Sequence, residues 1–340
     1  MNLDVLLLLN AVFLVSCAGT WGLKALAPRC GLVDVPNRRS SHDQPTPRGG
    51  GLALVLGFYL GSGYLALRGG TAIPHLLGLG ACGLGIAATG LADDVYRLSP
   101  AKRIVLHFAC TAAAVYFFLP VEEVFGSSGG VVPLFVVRIL LVVGIVWLLN
   151  LYNFMDGIDG IAGGEAVSAA LGAGFILLLK GETADHLPLL LVLAAAALGF
   201  LVWNLPPAGI FMGDAGSGFL GFCFGILAIL TAAATGLNLW SWSILLGAFV
   251  SDATVTLVVR LARGEKIYQA HRSHAYQILA RRTGSHGRVT LWYMGANWLF
   301  LFPLAVLAAF HPGYAPLLVI FSYAPLVLLC ILVGAGRTND

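Results

Sequence analysis

The chain has 340 residues, of which 59% are hydrophobic and only 10% charged, and its mean hydropathy is +0.89. Soluble domains usually carry about 25% charged residues, so no separate soluble domain is expected. The net charge of +3 is small and basic residues are not interleaved with aromatics, which argues against a nucleic-acid partner.

A helix crossing a membrane needs roughly 20 mainly apolar residues, because backbone groups in lipid must satisfy one another. In chain order such segments lie at about 3–24, 49–68, 72–92, 101–119, 132–152, 160–180, 186–204, 218–235, 239–261, 290–310 and 314–334. The first lacks a basic leader and a convincing cleavage site, so it reads as a retained span. Segments 72–92 and 160–180 are rich in Gly and Ala, which suits close helix packing. No internal repeat is visible. The expectation is an all-α polytopic membrane protein of about eleven (10–11) transmembrane helices, a single membrane-embedded domain over residues 1–340. Its site loops fall at about 25–48, 93–103, 153–159, 205–217 and 262–289. The six cysteines are scattered without metal-ligand spacing and read as buried apolar residues.

The charges assign the loops to sides. Of the 19 Lys and Arg residues, 16 fall in the odd-numbered loops or after the last span, Arg38, Arg39, Arg97, Lys102, Arg103 and Arg272 among them. Arg68 and Lys180 lie on the other side, and Arg138 sits within a span. The positive-inside rule makes the odd loops cytoplasmic and puts the N-terminus outside.

The acids show a second pattern. Glu122, Glu123, Glu182 and Asp185 occupy ordinary outward loops, whereas Asp93, Asp94, Asp156, Asp159 and Asp214 stand at cytoplasmic span ends, hard against apolar sequence. Carboxylates there are costly unless paired or bound to a cation. Each has a bland reading. Asp93-Asp94 suits capping of a helix starting near Pro100. Asp156 and Asp159 suit a glycine turn as well as one helix face, and Asp214 suits a turn before the next span. All three bland readings would have to hold together, on one face of the membrane, so a metal or cationic site is favoured. Glu165 and Asp252, inside spans, are expected to be structural, each bonded to a neighbouring Ser or Thr.

Residues 262–289 form the one long polar segment. His271 and His274 are spaced like a metal pair, but no third soft ligand stands nearby, which argues against zinc. Such a basic loop often binds only anionic lipid heads. His271-Arg-Ser-His274 also offers several donors to a pyrophosphate. With five acids nearby, the better expectation is an anionic substrate held through a hard divalent cation, Mg²⁺ with Mn²⁺ as alternative.

Four motifs then resemble a known family. They are Asp93-Asp-Val-Tyr-Arg-Leu-Ser-Pro100 with Lys102, Asn150-Leu-Tyr-Asn-Phe-Met-Asp-Gly-Ile-Asp-Gly-Ile-Ala162, Asn204-Leu-Pro-Pro-Ala-Gly-Ile-Phe-Met-Gly-Asp-Ala-Gly-Ser217, and His271-Arg-Ser-His274. Asp34-Val-Pro-Asn37 and Pro47-Arg-Gly-Gly50 extend the match toward the N-terminus. The chain resembles the polyprenyl-phosphate N-acetylhexosamine-1-phosphate transferases (glycosyltransferase 4). The resemblance implies transfer of a sugar-1-phosphate from a UDP-N-acetylhexosamine to undecaprenyl phosphate, releasing UMP and starting O-antigen or other envelope polysaccharides. By motif, Asn153 and Asp214 would bind Mg²⁺. Asp93 and Asp94 would sit at the reaction centre, with Asp93 as base or carrier-phosphate orienter, and Lys102 would hold phosphate. Asp156 and Asp159 would line the nucleotide pocket and Phe211 would stack on uracil. His271, Arg272 and His274 would contact pyrophosphate and sugar. Direct attack is favoured over an aspartyl intermediate, since a phosphate nucleophile is already ionised.

Departures from relatives bear on the sugar. The His-His-His-x-Glu stretch of peptidoglycan-type members and the His-x-His-His of enterobacterial GlcNAc-type members are absent. His271-Arg-Ser-His-Ala-Tyr-Gln277 looks like the subgroup using N-acetylfucosamine or N-acetylquinovosamine, with UDP-GlcNAc as runner-up. Membrane lipids are the other partners, and a homodimer is left open. A transporter would place charge near the bilayer midplane, often in two similar halves, and a scaffold would leave five acids unexplained. Both are the weaker readings.

Overall fold

The computed structural model describes residues 3–36, 44–69, 78–126, 132–182, 186–266 and 271–337. Asn37, Arg38, Arg39, Asp185, residues 267–270 of the polar segment and residues 72–77 of the third expected span lie outside these. The helices are α1 (Leu3–Leu26), α2 (Gly51–Leu67), α3 (Gly83–Tyr96, after a π turn), α4 (Pro100–Phe117) and the short α5 (Val121–Phe125). Then come α6 (Leu134–Phe154), α7 (Ile161–Leu179), α8 (His186–Asn204), α9 (Asp214–Ala234), α10 (Leu239–Leu245) and α11 (Gly247–Ala262). The chain closes with α12 (Ala275–Thr283), α13 (His286–Gly295), α14 (Phe302–Phe310) and α15 (Ala315–Val333).

Among the described residues, seven helical segments are long and apolar enough to cross a membrane, and up to eight if α10 and α11 form one span bent by 74°. The chain is therefore an all-α, multi-pass membrane protein, without the number of spans being settled at eleven. The difference has local causes. α2 has only 17 residues, the third expected span lies partly outside the described residues, α4 carries Lys102, Arg103 and His107, and α10 breaks from α11 at Leu246.

The helices differ in how they are covered. The most apolar windows of α7 and α9 are 78% buried, against 17% for the segments beginning with α1 and containing α15. α7 and α9 thus form the middle and the terminal helices the rim. α9 packs against α3 and α6, and α7 against α8, which in turn packs on α1. Contact between α3 and α9 is close because a Cβ at Gly90 would collide with the Asp214 backbone. Small residues permit this approach where apolar burial alone gives no drive between helices in lipid.

A two-residue antiparallel pair, β1 (Val33–Asp34) with β2 (Thr46–Pro47), orders the first loop. That loop is then fastened to the turn before α9. Phe211 N donates to Pro47 O at 2.8 Å, Gly50 N to Phe211 O at 3.0 Å and Gly51 N to Met212 O at 2.9 Å. The bonds bring Arg48 to the same end of the bundle as Asp94 and Asp214. Lys180 lies at the opposite end of α7 from Asp159, donating to Ala309 O at 3.1 Å.

Candidate active site

The site begins at the C-terminal turn of α3, which carries Asp93 and Asp94. α4 starts on Ser99, whose hydroxyl accepts from Lys102 N at 3.4 Å, with Pro100 as first helical residue. Ser then Pro is a favoured helix start, and it fixes the helical register of α4. In that register Arg103 turns toward α3 and α9. Its Nη1 donates to Asp93 Oδ2 at 2.6 Å and to Asp214 Oδ2 at 3.0 Å. Lys102, one residue earlier, is exposed. Of these two adjacent cations the structure therefore places Arg103 among the acids, and Lys102 is not brought to them.

Asp94 is only 4% exposed and has a second arginine. Arg48 Nη1 lies 3.5 Å from its Oδ1, and Arg48 Nη2 donates to its backbone carbonyl. Ala215 N points at Asp94 Oδ2 from 3.5 Å. Gly213, with φ of +77°, makes the turn into α9, and a Cβ there would stand 2.7 Å from Asp94 Oδ2. Only glycine meets both demands.

Asn153, on the last turn of α6, stands beside Asp214 and donates to Ser217 Oγ at 2.9 Å. Asp156 comes next, in the link between α6 and α7. Burial, with the carboxylates of Asp214, Asp94 and Asp159 nearby, pushes it up to about 8. Acids that resist ionising through mutual repulsion mark a place where a cation is favourable. Asp93, Asp94, Asp156 and Asp214 thus share one region with Arg48 and Arg103. Among the described residues, no three His, Cys, Asp or Glu side chains form a ready metal cage. Mg²⁺ does not require one, because it takes one or two carboxylates and fills its shell with water and phosphate. The hard oxygens of Asp214 and Asn153 fit that demand.

Asp159 faces another way. Its Oδ2 accepts from Ala208 N at 3.1 Å and its Oδ1 lies 3.2 Å from His286 Nδ1. With Phe211, Thr46, Arg281 and His286 it lines a cavity of about 780 Å³. The expected nucleotide residues Asp159 and Phe211 are therefore together. A second cavity of about 650 Å³ is mainly apolar, lined by Phe108, Val143, Trp147, Phe154 and Leu257, and Arg103 stands in its wall.

The histidine segment adjoins the end of α6. His271 and His274 rings stack with centroids 4.9 Å apart, and His274 lies 6.4 Å from the Phe154 ring. Burial holds His271 down to about 3, with His274 and Arg260 adding to the effect. It is a neutral ring at physiological pH and offers hydrogen bonds rather than charge. Arg272 is exposed, and its carbonyl accepts from Arg281 Nη1 at 2.8 Å. Glu165 is bonded not to a Ser or Thr but to Asn297, whose Nδ2 lies 2.6 Å from Oε2. Asp252 does accept from Thr256, at 3.2 Å, but also from more distant donors.

Arg48, Arg103 and His286 have no assigned role in the sequence reading. Arg48 had a signal, since it lies within Pro47-Arg-Gly-Gly50. Arg103 was hidden beside Lys102, and His286 has no local signal.

Acids from separate helix ends gather with two arginines in one region of a multi-pass membrane protein; the chain is a transferase and belongs to glycosyl transferase family 4. That family's sequence profile matches residues 76–232. The chain is 33% identical over 277 residues to a probable undecaprenyl-phosphate N-acetylglucosaminyl 1-phosphate transferase of Bacillus subtilis, covering 78% of this chain and 74% of that protein. It is 30% identical over 310 residues to the decaprenyl-phosphate N-acetylglucosaminephosphotransferase of Mycobacterium tuberculosis, covering 82% and 76%. With the undecaprenyl-phosphate alpha-N-acetylglucosaminyl 1-phosphate transferase of Escherichia coli K12 it shares 27% identity over 297 residues, covering 80% and 76%.

Proposed function

We propose that the protein transfers an N-acetylhexosamine-1-phosphate from a UDP-sugar to undecaprenyl phosphate and releases UMP. The observation that carries this reading is Arg103, which touches Asp93 and Asp214 while standing in the wall of the apolar cavity. A polyprenyl tail suits that cavity, and its phosphate would meet Arg103. The uridine end suits the polar cavity, between Phe211 and Asp159. The carrier-phosphate oxygen attacks the phosphorus bearing the sugar, and UMP leaves in line. Donor and acceptor are both anions, so Arg48 and Arg103 lower their mutual repulsion. Arg48 Nε, buried without a hydrogen-bond partner among the described residues, is available to a phosphate oxygen. Mg²⁺ on Asp214 and Asn153 would supply Lewis-acid stabilisation of the leaving phosphate. His271 and His274 would donate to the pyrophosphate and sugar.

The reading places this face in the cytoplasm, where UDP-sugars are made, and the N-terminus in the periplasm. The sugar is proposed as N-acetylfucosamine or N-acetylquinovosamine on the His271–Gln277 pattern, in O-antigen initiation. GlcNAc is the alternative, favoured by the names of the relatives above. Purified protein with undecaprenyl phosphate and Mg²⁺ is to be offered each UDP-sugar, with UMP as the readout. The 6-deoxy sugars should turn over faster; faster release from UDP-GlcNAc reverses the sugar assignment, and no UMP from any donor rejects the transferase reading.

A further inference from the structure

We infer that Asp252 is a positioning residue that fastens the histidine segment 271–277 to the acid-lined end of the bundle; this rests on the transferase reading above. Asp252 is fully buried on α11. Its Oδ1 accepts from Ala275 N at 2.8 Å and from Thr256 Oγ1 at 3.2 Å. Its Oδ2 accepts from Tyr276 N at 2.9 Å and from Tyr293 Oη at 2.6 Å. His274 Nδ1 lies a further 3.4 Å from Oδ1. A carboxylate offers about four lone-pair sites, so this one is saturated by protein and has none left for a metal or substrate. It acts through the segment it holds.

That segment runs into the first turn of α12. The N–H groups at a helix start need acceptors, and a nearby anion is favoured there by the helix dipole. Usually the residue before the helix serves. Here Gln277 Oε1 accepts from His274 N at 3.3 Å, while Ala275 and Tyr276 send theirs to a carboxylate on another helix. The connection continues beyond α12. Tyr276 Oη donates to Phe154 O at 2.9 Å, and Phe154 is next in the chain after Asn153. A Cβ at Gly157 would overlap Tyr276 Oη, so the link beside Asp156 leaves room for this hydroxyl. Asp252, the first turn of α12 and the end of α6 are therefore one bonded unit. Ser273 O is held as well, accepting from Gly336 N at 2.8 Å. His274 Nδ1 is buried and has no hydrogen-bond partner among the described residues. The Asp252 carboxylate, 3.4 Å from that nitrogen, adds an electrostatic contact that bears on where the ring stands. Asp252 thus sets where His271 and His274 stand relative to Asn153 and Asp214.

The test is Asp252→Asn in the full chain, with Tyr293→Phe as a milder variant that keeps the carboxylate. For Asp252→Asn, KM for the UDP-sugar should rise about 10-fold or more, while kcat changes less than about 3-fold and KM for the carrier lipid is unchanged. Tyr293→Phe should show the same split at about 3-fold. Because Asp252 acts through His271 and His274, adding Asp252→Asn to the pair His271→Ala and His274→Ala should raise KM no further. Amide exchange in Asp252→Asn should speed up within 271–283 and stay unchanged in α6–α9. An unchanged KM, additive effects with that histidine pair, or exchange spread through α6–α9 each overturns the assignment. If wild-type protein releases no UMP, the transferase reading has failed, and the exchange pattern alone decides whether Asp252 is the anchor.

Discussion

Two regions of this molecule handle carboxylates in opposite ways. At the ends of α3, α6 and α9, four acids crowd together with two arginines, and Asp156 is pushed up to about 8 by burial and its neighbours. On α11 a single acid is met by donors from Ala275, Tyr276, Tyr293 and Thr256. The first region has negative charge in excess of its partners, and the second has donors that saturate one carboxylate. Excess charge invites a ligand, whereas saturation fixes a position. A buried acid in a membrane protein is therefore diagnosed by what surrounds it, not by burial alone.

The comparison can be broken most directly in the crowded region. Asp94→Asn and Asp214→Asn are expected to lower turnover by at least ~10³-fold while the protein still inserts, measured as UMP release against the amount of folded protein. Near-normal rates in either would remove that residue from the site. Arg103→Ala should cost ~10²-fold, and Lys102→Ala should change the rate by less than about 3-fold. Equal losses would mean that the exposed lysine swings inward when substrate binds. Phe211→Ala should raise KM for the UDP-sugar about 10-fold through lost base stacking, leaving KM for the carrier unchanged.

The smallest effect concerns pH. Asp156 in the folded chain holds its proton up to about 8, above the ordinary value of about 3.9 for an unfolded aspartate. A raised carboxyl pKa means the folded form binds more protons between these values, so its contribution to stability falls as pH rises from about 4 through about 8. Thermal unfolding at pH 5 and pH 9 should differ less in Asp156→Asn than in wild type. Mg²⁺ should narrow the wild-type difference, since a cation among these acids offsets their repulsion. An identical pH dependence in the variant would show that Asp156 is not crowded.

The crowded region was legible in the sequence because each of its parts leaves a local trace. An acid beside Gly or Asn at the end of an apolar run is anomalous wherever it occurs, and Asp93, Asp94, Asp156, Asp159 and Asp214 all stood out in this way. Phe211 came with its motif. The saturated region leaves no such trace, because Asp252 finds its main-chain partners 23 and 24 residues away and Tyr293 41 residues away. Arg103 and Lys102 are adjacent and both basic, and only the helix start at Ser99-Pro100 decides which faces Asp93. Hydropathy located the seven long apolar helical segments, within a larger expected number, but not the break at Leu246, which falls inside one continuous apolar stretch. The pair Asp159 and His286 joins an acid with a residue whose own surroundings give no hint of a site.

The close approach of α3 and α9 at Gly90 has a consequence for how such a site diversifies. Backbone touches backbone there, so the spacing between the Asp93-Asp94 pair and Asp214 is a fixed gauge rather than the result of side-chain packing. The walls of both cavities are built largely from other stretches: residues 280–287 and the Pro206–Ala208 turn on one side, α4, α6 and Leu257 on the other. On the transferase reading proposed above, those walls are the parts that can be rewritten for a different sugar or lipid without moving Asp93, Asp94 and Asp214. A change at Gly90 would shift that gauge at once and, on the same reading, affect every substrate alike.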